Sequence, residues 1–225
     1  MDAAAYDAWY DTPRGRWIGT RETALILRHL QPRPGESLLD VGCGTGYFTR
    51  AVSAAVSGEI VGADISAAWL AHARARGGAR IRYDEADARA LPYADARFDL
   101  TMSITALCFV DDERLAVREL LRVTRRRFVL GLLNRHSLLW HQKGRDGGVG
   151  AYQGARWHTV AEARRLFDGL PVANLRVRSA IQLPDGGWLP RCVERLVPTR
   201  CTTGAFLLVA GDVVRPAAGR GIGAA

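Results

Sequence analysis

The run Leu38-Leu39-Asp40-Val41-Gly42-Cys43-Gly44-Thr45-Gly46-Tyr47-Phe48-Thr49 gathers the residues with the clearest chemical use. Three glycines at alternate positions let a backbone turn sharply and approach a ligand closely. A helix opening behind them presents free N–H groups and a positive dipole end to a carboxylate. A dinucleotide fingerprint needs glycine where Tyr47 stands, and a phosphate loop needs Gly-Lys-Ser/Thr, which is absent. Asp40, ahead of the glycines, repels a pyrophosphate and suits a cationic ligand. Further on, Val61-Gly62-Ala63-Asp64 ends in an acid that can accept both hydrogen bonds of a ribose diol. In Glu85-Ala86-Asp87-Ala88, Asp87 is placed to accept from an exocyclic amino group such as that of adenine. One such acid is ordinary loop surface. Three, each at or just past the end of a predicted strand and grouped around one glycine loop, read as a binding site.

The elements that hold these residues follow from hydrophobic period. Strands are predicted at Ser37–Val41, Ile60–Ala63, Arg80–Tyr83, Phe98–Ile104 and Arg127–Leu133. Helices fall between them over about Gly46–Val56, over Ala67–Arg76 with Ser66 as cap, and over the acidic-started Asp111–Thr124. Upstream, a helical pattern runs from about Thr20 to Leu30 and stops at Pro32 and Pro34. Before it, Tyr6 to Trp17 mixes aromatics with Arg14 and Arg16, and residues 1–34 read as a lid or a flanking helix. Asn134–His158 has no clear period, five glycines and three aromatics, and reads as a long functional loop or partial helix. A helix (Val160–Leu170), a strand (Asn174–Gln182), a Pro/Gly-punctuated insert (Pro184–Pro198), a last strand (Gly204–Gly211) and a frayed tail (Val214–Ala225) follow. The fold class is α/β, a Rossmann-like doubly wound sheet, mostly parallel, with helices on both faces. At 225 residues it makes one domain, with residues 35–133 as the binding core.

The stretch from Leu38 to about Leu133 resembles the core of a class I S-adenosylmethionine-dependent methyltransferase. It is most similar to the type 11 group, which contains the ubiquinone/menaquinone-biosynthesis C-methyltransferases and many small-molecule enzymes. The pieces that carry the resemblance are LLDVGCGTGYFT, VGADIS, DEADARALPYADARFDL and RLAVRELLRV, somewhat under half the chain. The resemblance implies seven strands with the last antiparallel, and S-adenosyl-L-methionine as cofactor without a metal. Asp40, Gly42, Gly44 and Gly46, with Cys43 in the same loop, would hold the methionine part. Asp64 would hold the ribose, Ile65 would pack on the adenine, Asp87 and Ala88 would bind its edge, and Ser103 would line the floor. Arg125-Arg126-Arg127 departs from the group, which commonly has a Pro-Gly-Gly turn there.

A sulfonium is already an activated leaving group, so the protein mainly aligns acceptor, methyl and sulfur. A general base is needed only where the acceptor must lose a proton. His136, His141 and His158 fall in Asn134–His158, past the fifth strand, and with Asn134, Tyr152 and Trp157 are the candidates for an acceptor pocket and its base. His29 and His72 lie in predicted helices and read as structural. The loop Ser103-Ile104-Thr105-Ala106-Leu107 lacks the Asn/Asp-Pro-Pro-aromatic pattern of exocyclic-amine methylation, and no Pro-Cys dipeptide serves cytosine chemistry. A small organic acceptor is the resulting expectation. The other readings are a catalytically silent cofactor-binding scaffold and, ranked lower, an RNA methyltransferase.

Charge refines the expectation about partners. Of 31 basic residues only Lys143 is lysine, a skew that looks like a GC-rich genome's codon usage. Residues 1–120 hold 14 basic and 17 acidic side chains, net −3, and residues 121–225 hold 17 and 6, net +11. Arg135, Arg145, Arg191, Arg195 and Arg200 lie in or beside the two expected acceptor-site inserts, 134–158 and 184–200, which predicts an anionic acceptor or surface. Without an appended RNA-binding module a nucleic-acid partner is disfavoured. Apolar runs are too short for a membrane span, leaving peripheral contact at most. The start MDAAAYDAWYD is not a signal peptide. Cys43, Cys108, Cys192 and Cys201 are too widely spaced for a CxxC metal site and read as reduced, cytoplasmic thiols.

Overall fold

Short, apolar segments at the centre of the chain have nowhere to bury both faces except inside a layered sheet. In the structure, a computed structural model that describes residues 2–78 and 80–215, they do so. The strands are β1 (Leu38–Val41), β2 (Ile60–Asp64), β3 (Ile81–Glu85), β4 (Phe98–Ile104), β5 (Thr124–Leu133), β6 (Val172–Ala180) and β7 (Phe206–Val213). They lie in the order β3-β2-β1-β4-β5-β7-β6, parallel except for β7, which runs antiparallel to both neighbours. Strand order reverses between β1 and β4, the switch point at which such sheets open a crevice. Leu38, Leu39, Ile60, Leu100, Met102 and Phe128 are fully buried around it. Every residue of β1 is buried, Asp40 among them. A lone acid in a central strand breaks the local pattern, and such breaks concentrate at functional sites.

The helices are α1 (Ala3–Tyr10), α2 (Pro13–Leu30), α3 (Tyr47–Ser53), α4 (Ala67–Ala75), α5 (Glu113–Val123), α6 (Leu138–Lys143), α7 (Val160–Arg165) and α8 (Trp188–Leu196). Ser66 caps α4 and Asp112 caps α5 through their side-chain oxygens. The helix expected from Thr20 starts at Pro13 instead, because Thr12 caps it and proline fits its first turn. The segment before it forms a helix of its own, α1, capped by Asp2. α7 stops at Arg165, short of the expected Leu170, in turns that lead to Gly169 at φ +74°.

β5 begins at Thr124, earlier than expected, because each arginine at its start finds an acid. Arg125 pairs with Asp99, Arg126 with Glu36 and Arg127 with Asp212. Extended strand therefore replaces the Pro-Gly-Gly turn of the resembling group. Within 134–158 lie α6 and a short turn of 3₁₀ helix at Gly150–Tyr152, and the segment's ends are joined by a bridge between Asn134 and His158. The insert Pro184–Pro198 holds α8, with Pro190 in its first turn. No helix among the described residues is long and apolar enough to cross a membrane. Residues 216–225 of the expected tail lie outside the described residues.

Candidate active site

The carboxyl ends of β1, β2 and β4 frame a cleft of about 750 Å³, the size of a small-molecule site. Its first wall is the loop after β1. Gly42 and Gly44 adopt φ of +71° and +55°, a region costly for other residues. A Cβ on Gly42 would also meet the Ala106 Cβ at 2.2 Å. The loop is pinned to β2: Gly42 and Cys43 N–H donate to Ala63 O at 2.7 and 3.0 Å. Gly46 caps α3 from below the wall, where a Cβ would meet the Tyr83 hydroxyl.

Asp40 lines the cleft and is 1% exposed. Its Oδ2 accepts from the Thr49 hydroxyl at 2.6 Å, while its buried Oδ1 has no hydrogen-bond partner. Burial pushes the carboxyl up to about 7 against that hydrogen bond, with the Asp64 charge adding to the rise. An orphaned acceptor oxygen beside a glycine cradle fits a cationic group brought by a ligand. Asp64 accepts one backbone N–H on each oxygen, from Ser66 at 2.9 Å and Gly44 at 2.8 Å. A carboxylate offers about four lone-pair sites, so capacity for a diol remains. Ile65, 64% exposed, puts an apolar face on the same wall. Cys43 also lines it, its thiol pushed up by burial.

Two expected residues sit differently. Asp87 lines the cleft with Ala88, but both its oxygens are held by Arg89, at 2.7 Å from Nη2 to Oδ2 and 2.8 Å from the backbone N–H to Oδ1. The guanidinium bonds hold its carboxyl below the ordinary range. Ser103 lies beneath the floor, buried and with an unpartnered hydroxyl, and the floor itself is Ile104, Thr105 and Ala106. Thr105 has φ +58°, a strained value for a β-branched residue, and marks the bend that turns the chain across the cleft.

The three candidate histidines are not brought to the cleft. His158 is buried, with Nε2 2.8 Å from Glu113 Oε2. His141 is exposed and pairs through Nδ1 with Arg145 at 2.7 Å, and His136 is exposed without lining the cleft. Asn134 is a staple, donating from Nδ2 to the Thr202 and Gly204 carbonyls. Trp157 is buried against Tyr152, ring centroids 5.4 Å apart. What 134–158 does bring to the wall is Gly150, Ala151 and Gln153. The five arginines of the inserts do not line it either. Its charged lining is Asp40, Asp64, Asp87, Asp111 and Arg89, so the +11 half does not gather there.

The roof comes from residues 1–34, the segment expected as a lid or a flanking helix. Tyr6 of α1 lines the cleft and leans on Trp69 of α4, ring centroids 5.4 Å apart. The next residue, Asp7, is 4% exposed and fastens the helix. It accepts from Thr45 Oγ1 at 2.5 Å and Arg50 Nη2 at 3.1 Å, and Arg76 Nε and His72 Nε2 lie 3.1 and 3.2 Å away. The aromatic and arginine content of Tyr6–Trp17 was the only local sign of this role.

Residues 39–130 match the family model described as a methyltransferase domain. An uncharacterised protein of Mycobacterium tuberculosis is 34% identical over 194 residues, 82% of this chain and 63% of that protein. The chain thus spans under two thirds of that relative. A malonyl-[acyl-carrier protein] O-methyltransferase of Erwinia pyrifoliae is 36% identical over 135 residues, 56% of this chain and 50% of that protein. Among solved structures, a Thermotoga maritima S-adenosylmethionine-dependent methyltransferase, titled a possible histamine N-methyltransferase, superposes with a TM-score of 0.72 at 22% identity. That match covers 93% of this chain and 95% of the other. Residues 39–130 are a methyltransferase domain, in a chain with the class I S-adenosylmethionine-dependent methyltransferase fold.

Proposed function

We propose that the protein transfers a methyl group from S-adenosyl-L-methionine to a small organic acceptor. The observation that carries this reading is the unpartnered Asp40 Oδ1, buried behind a left-handed glycine loop at the switch point of the sheet. Asp40 is suited to the ammonium of the methionine part, and Gly42 and Gly44 leave that part room. Asp64 has the lone pairs for the ribose hydroxyls, and Ile65 gives the adenine an apolar platform. Arg89 must share or release Asp87 before the adenine amino group can reach it. When bound, the cofactor supplies a methyl already activated by its sulfonium. Tyr6 and the floor Ile104–Ala106 exclude water and align the partners, which is most of what such a transfer requires. With His158 committed to Glu113, this reading assigns no base to the three histidines.

A screen of small acceptors with radiolabelled methyl donor, read by product mass, tests it. Turnover on any acceptor is the expected result. Binding of S-adenosylhomocysteine without turnover across the screen is the outcome of a silent scaffold, and tighter binding of NAD overturns the cofactor.

A further inference from the structure

α8 is turned the opposite way from an ordinary surface helix. Pro190 and Glu194, one turn apart, are its buried residues, while Trp188 and Leu196 are 78% and 80% exposed and Leu189 is half exposed. At helical spacing Trp188, Cys192 and Leu196 fall on one face with Leu189 beside them, opposite the side of Pro190 and Glu194. Arg191 and Arg195, both exposed, run along the flank of that face. An apolar face turned outward, with the acid turned in, marks a surface that something else covers.

The orientation is held from inside. Glu194 accepts the Gln182 backbone N–H at 2.9 Å and lies 3.6 Å from Arg21 Nη2 of α2. Rotating the helix to bury Trp188 would break both contacts. Arg191 donates from Nε to the Gly186 carbonyl at 3.3 Å and sits 6.0 Å from the Trp17 ring centroid. Arg14 of α2 stands against the loop before α8, its Cγ 2.8 Å from where a Cβ on Gly186 would lie. Arg14, Arg191 and Arg195 pair with no carboxylate among the described residues, and Asp185 is the one exposed acid of 184–200.

What covers this face must therefore be anionic and must take in apolar side chains. Trp188 and Leu196 stand on a ridge about 12 Å long and not in the groove that a helical peptide needs. A second copy would set like-charged arginines against one another. A bilayer meets both demands, since tryptophan and leucine seat at the boundary of headgroups and acyl chains while arginines stay with the phosphates. With nine residues α8 can lie in that plane but not cross it. The helix follows the carboxyl end of β6, and β6 runs parallel to β5 through β7, so α8 stands at the end of the sheet where the cleft opens.

We propose that the outward face of α8, flanked by Arg14, Arg191 and Arg195, seats the protein on an anionic lipid bilayer. This rests on that face and not on the methyltransferase reading. Sedimentation of the full chain with vesicles of phosphatidylcholine and phosphatidylglycerol in equal parts, beside vesicles of phosphatidylcholine alone, tests it. The chain should partition onto the anionic vesicles, with its tryptophan emission shifted to the blue. Trp188→Ser with Leu196→Ser leaves the charge unchanged and should weaken partition roughly tenfold or more, the scale of the apolar burial lost. Arg191→Gln and Arg195→Gln should each cost roughly fivefold. Arg33→Gln, an exposed arginine ahead of β1 at the other end of the sheet, is the charge-matched control and should change little. Trp188→Phe should keep the partition and lose most of the blue shift, which leaves a conservative variant should the double serine variant not fold. Absence of partition overturns the proposal. So does partition that survives Trp188→Ser with Leu196→Ser, which is adsorption of a chain of net charge +8 by charge alone. Binding to polyglutamate but not to vesicles makes the face a site for an acidic protein, and a dimer lost in Trp188→Ser, without partition, makes it a contact between copies; either overturns the bilayer.

Discussion

Asp64 spends one lone pair of each oxygen on the loop N–H groups of Ser66 and Gly44, so its removal acts on the loop and, in the proposed function, on the ligand as well. Asp64→Ala should weaken S-adenosylhomocysteine by roughly ten- to a hundredfold, the scale of lost hydrogen bonds to a charged acceptor. Unchanged affinity by calorimetry removes Asp64 from the site. Gly42→Ala tests the cradle, since its Cβ overlaps Ala106 and its φ is left-handed. It should destabilise the fold by about 1–3 kcal/mol and abolish measurable cofactor binding. That Asp64 and Gly42 meet at one cleft was legible in the sequence because the spacing of the loop is local. The histidines were not, because nearness to β5 along the chain says nothing of direction. His158 points to Glu113, 45 residues away, and a one-dimensional reading has no access to that pairing.

α1 is held on the glycine loop by a single buried carboxylate shared among Thr45, Arg50, His72 and Arg76. Asp7→Ala leaves Arg50 and Arg76 without their counter-charge. The cost should be about 2 kcal/mol, below the 3–5 kcal/mol of a fully buried pair because Arg76 is half exposed. The effect should be localised, with hydrogen exchange rising across Ala3–Tyr10 and unchanged in β1 and β4. In the wild type, S-adenosylhomocysteine should slow exchange at Tyr6–Trp17. Equal exchange with and without it makes α1 a fixed flanking helix rather than a lid. The alternating strands and helices from β1 to β5 were readable because their periods are short-range. The start of α2 at a Thr12-Pro13 cap was also written locally, but the aromatics around it masked the apolar period. α8 was hidden by Pro190, which reads as a break until it is seen to occupy a first turn.

Over the whole molecule, the −3 and +11 halves suggested two chemical faces, yet many of the arginines close long-range pairs. Arg126 meets Glu36 and Arg127 meets Asp212, separations of 90 and 85 residues that a charge count cannot register. The consequential charges are the few left unpaired inside, and they set how stability depends on pH. Asp40 is raised from 3.8 to about 7 and Glu22 from 4.5 to about 8, both chiefly by burial. Each keeps its proton in the folded, ligand-free protein where the unfolded chain has lost it. The stability each lends is therefore full below its unfolded value and drains as pH climbs to its folded value. His29 runs the other way. Burial, then Arg178, pull it from 6.5 to about 4, so its contribution is full above 6.5 and is lost only as pH falls toward 4. Asp87 and Glu119, held low by arginine hydrogen bonds, have given their full contribution by about pH 5. Between about pH 6.5 and 8, Asp40 and Glu22 are thus the groups among these still titrating, and the ligand-free unfolding temperature should fall across that window. Asp40→Asn and Glu22→Gln should each flatten part of the slope in calorimetric scans. Saturating S-adenosylhomocysteine should remove the Asp40 part, because an ammonium beside Oδ1 makes the ionised carboxylate the favoured form. A ligand-free unfolding temperature that is level or rising from pH 6.5 to 8 means that neither carboxyl is held protonated in the folded protein.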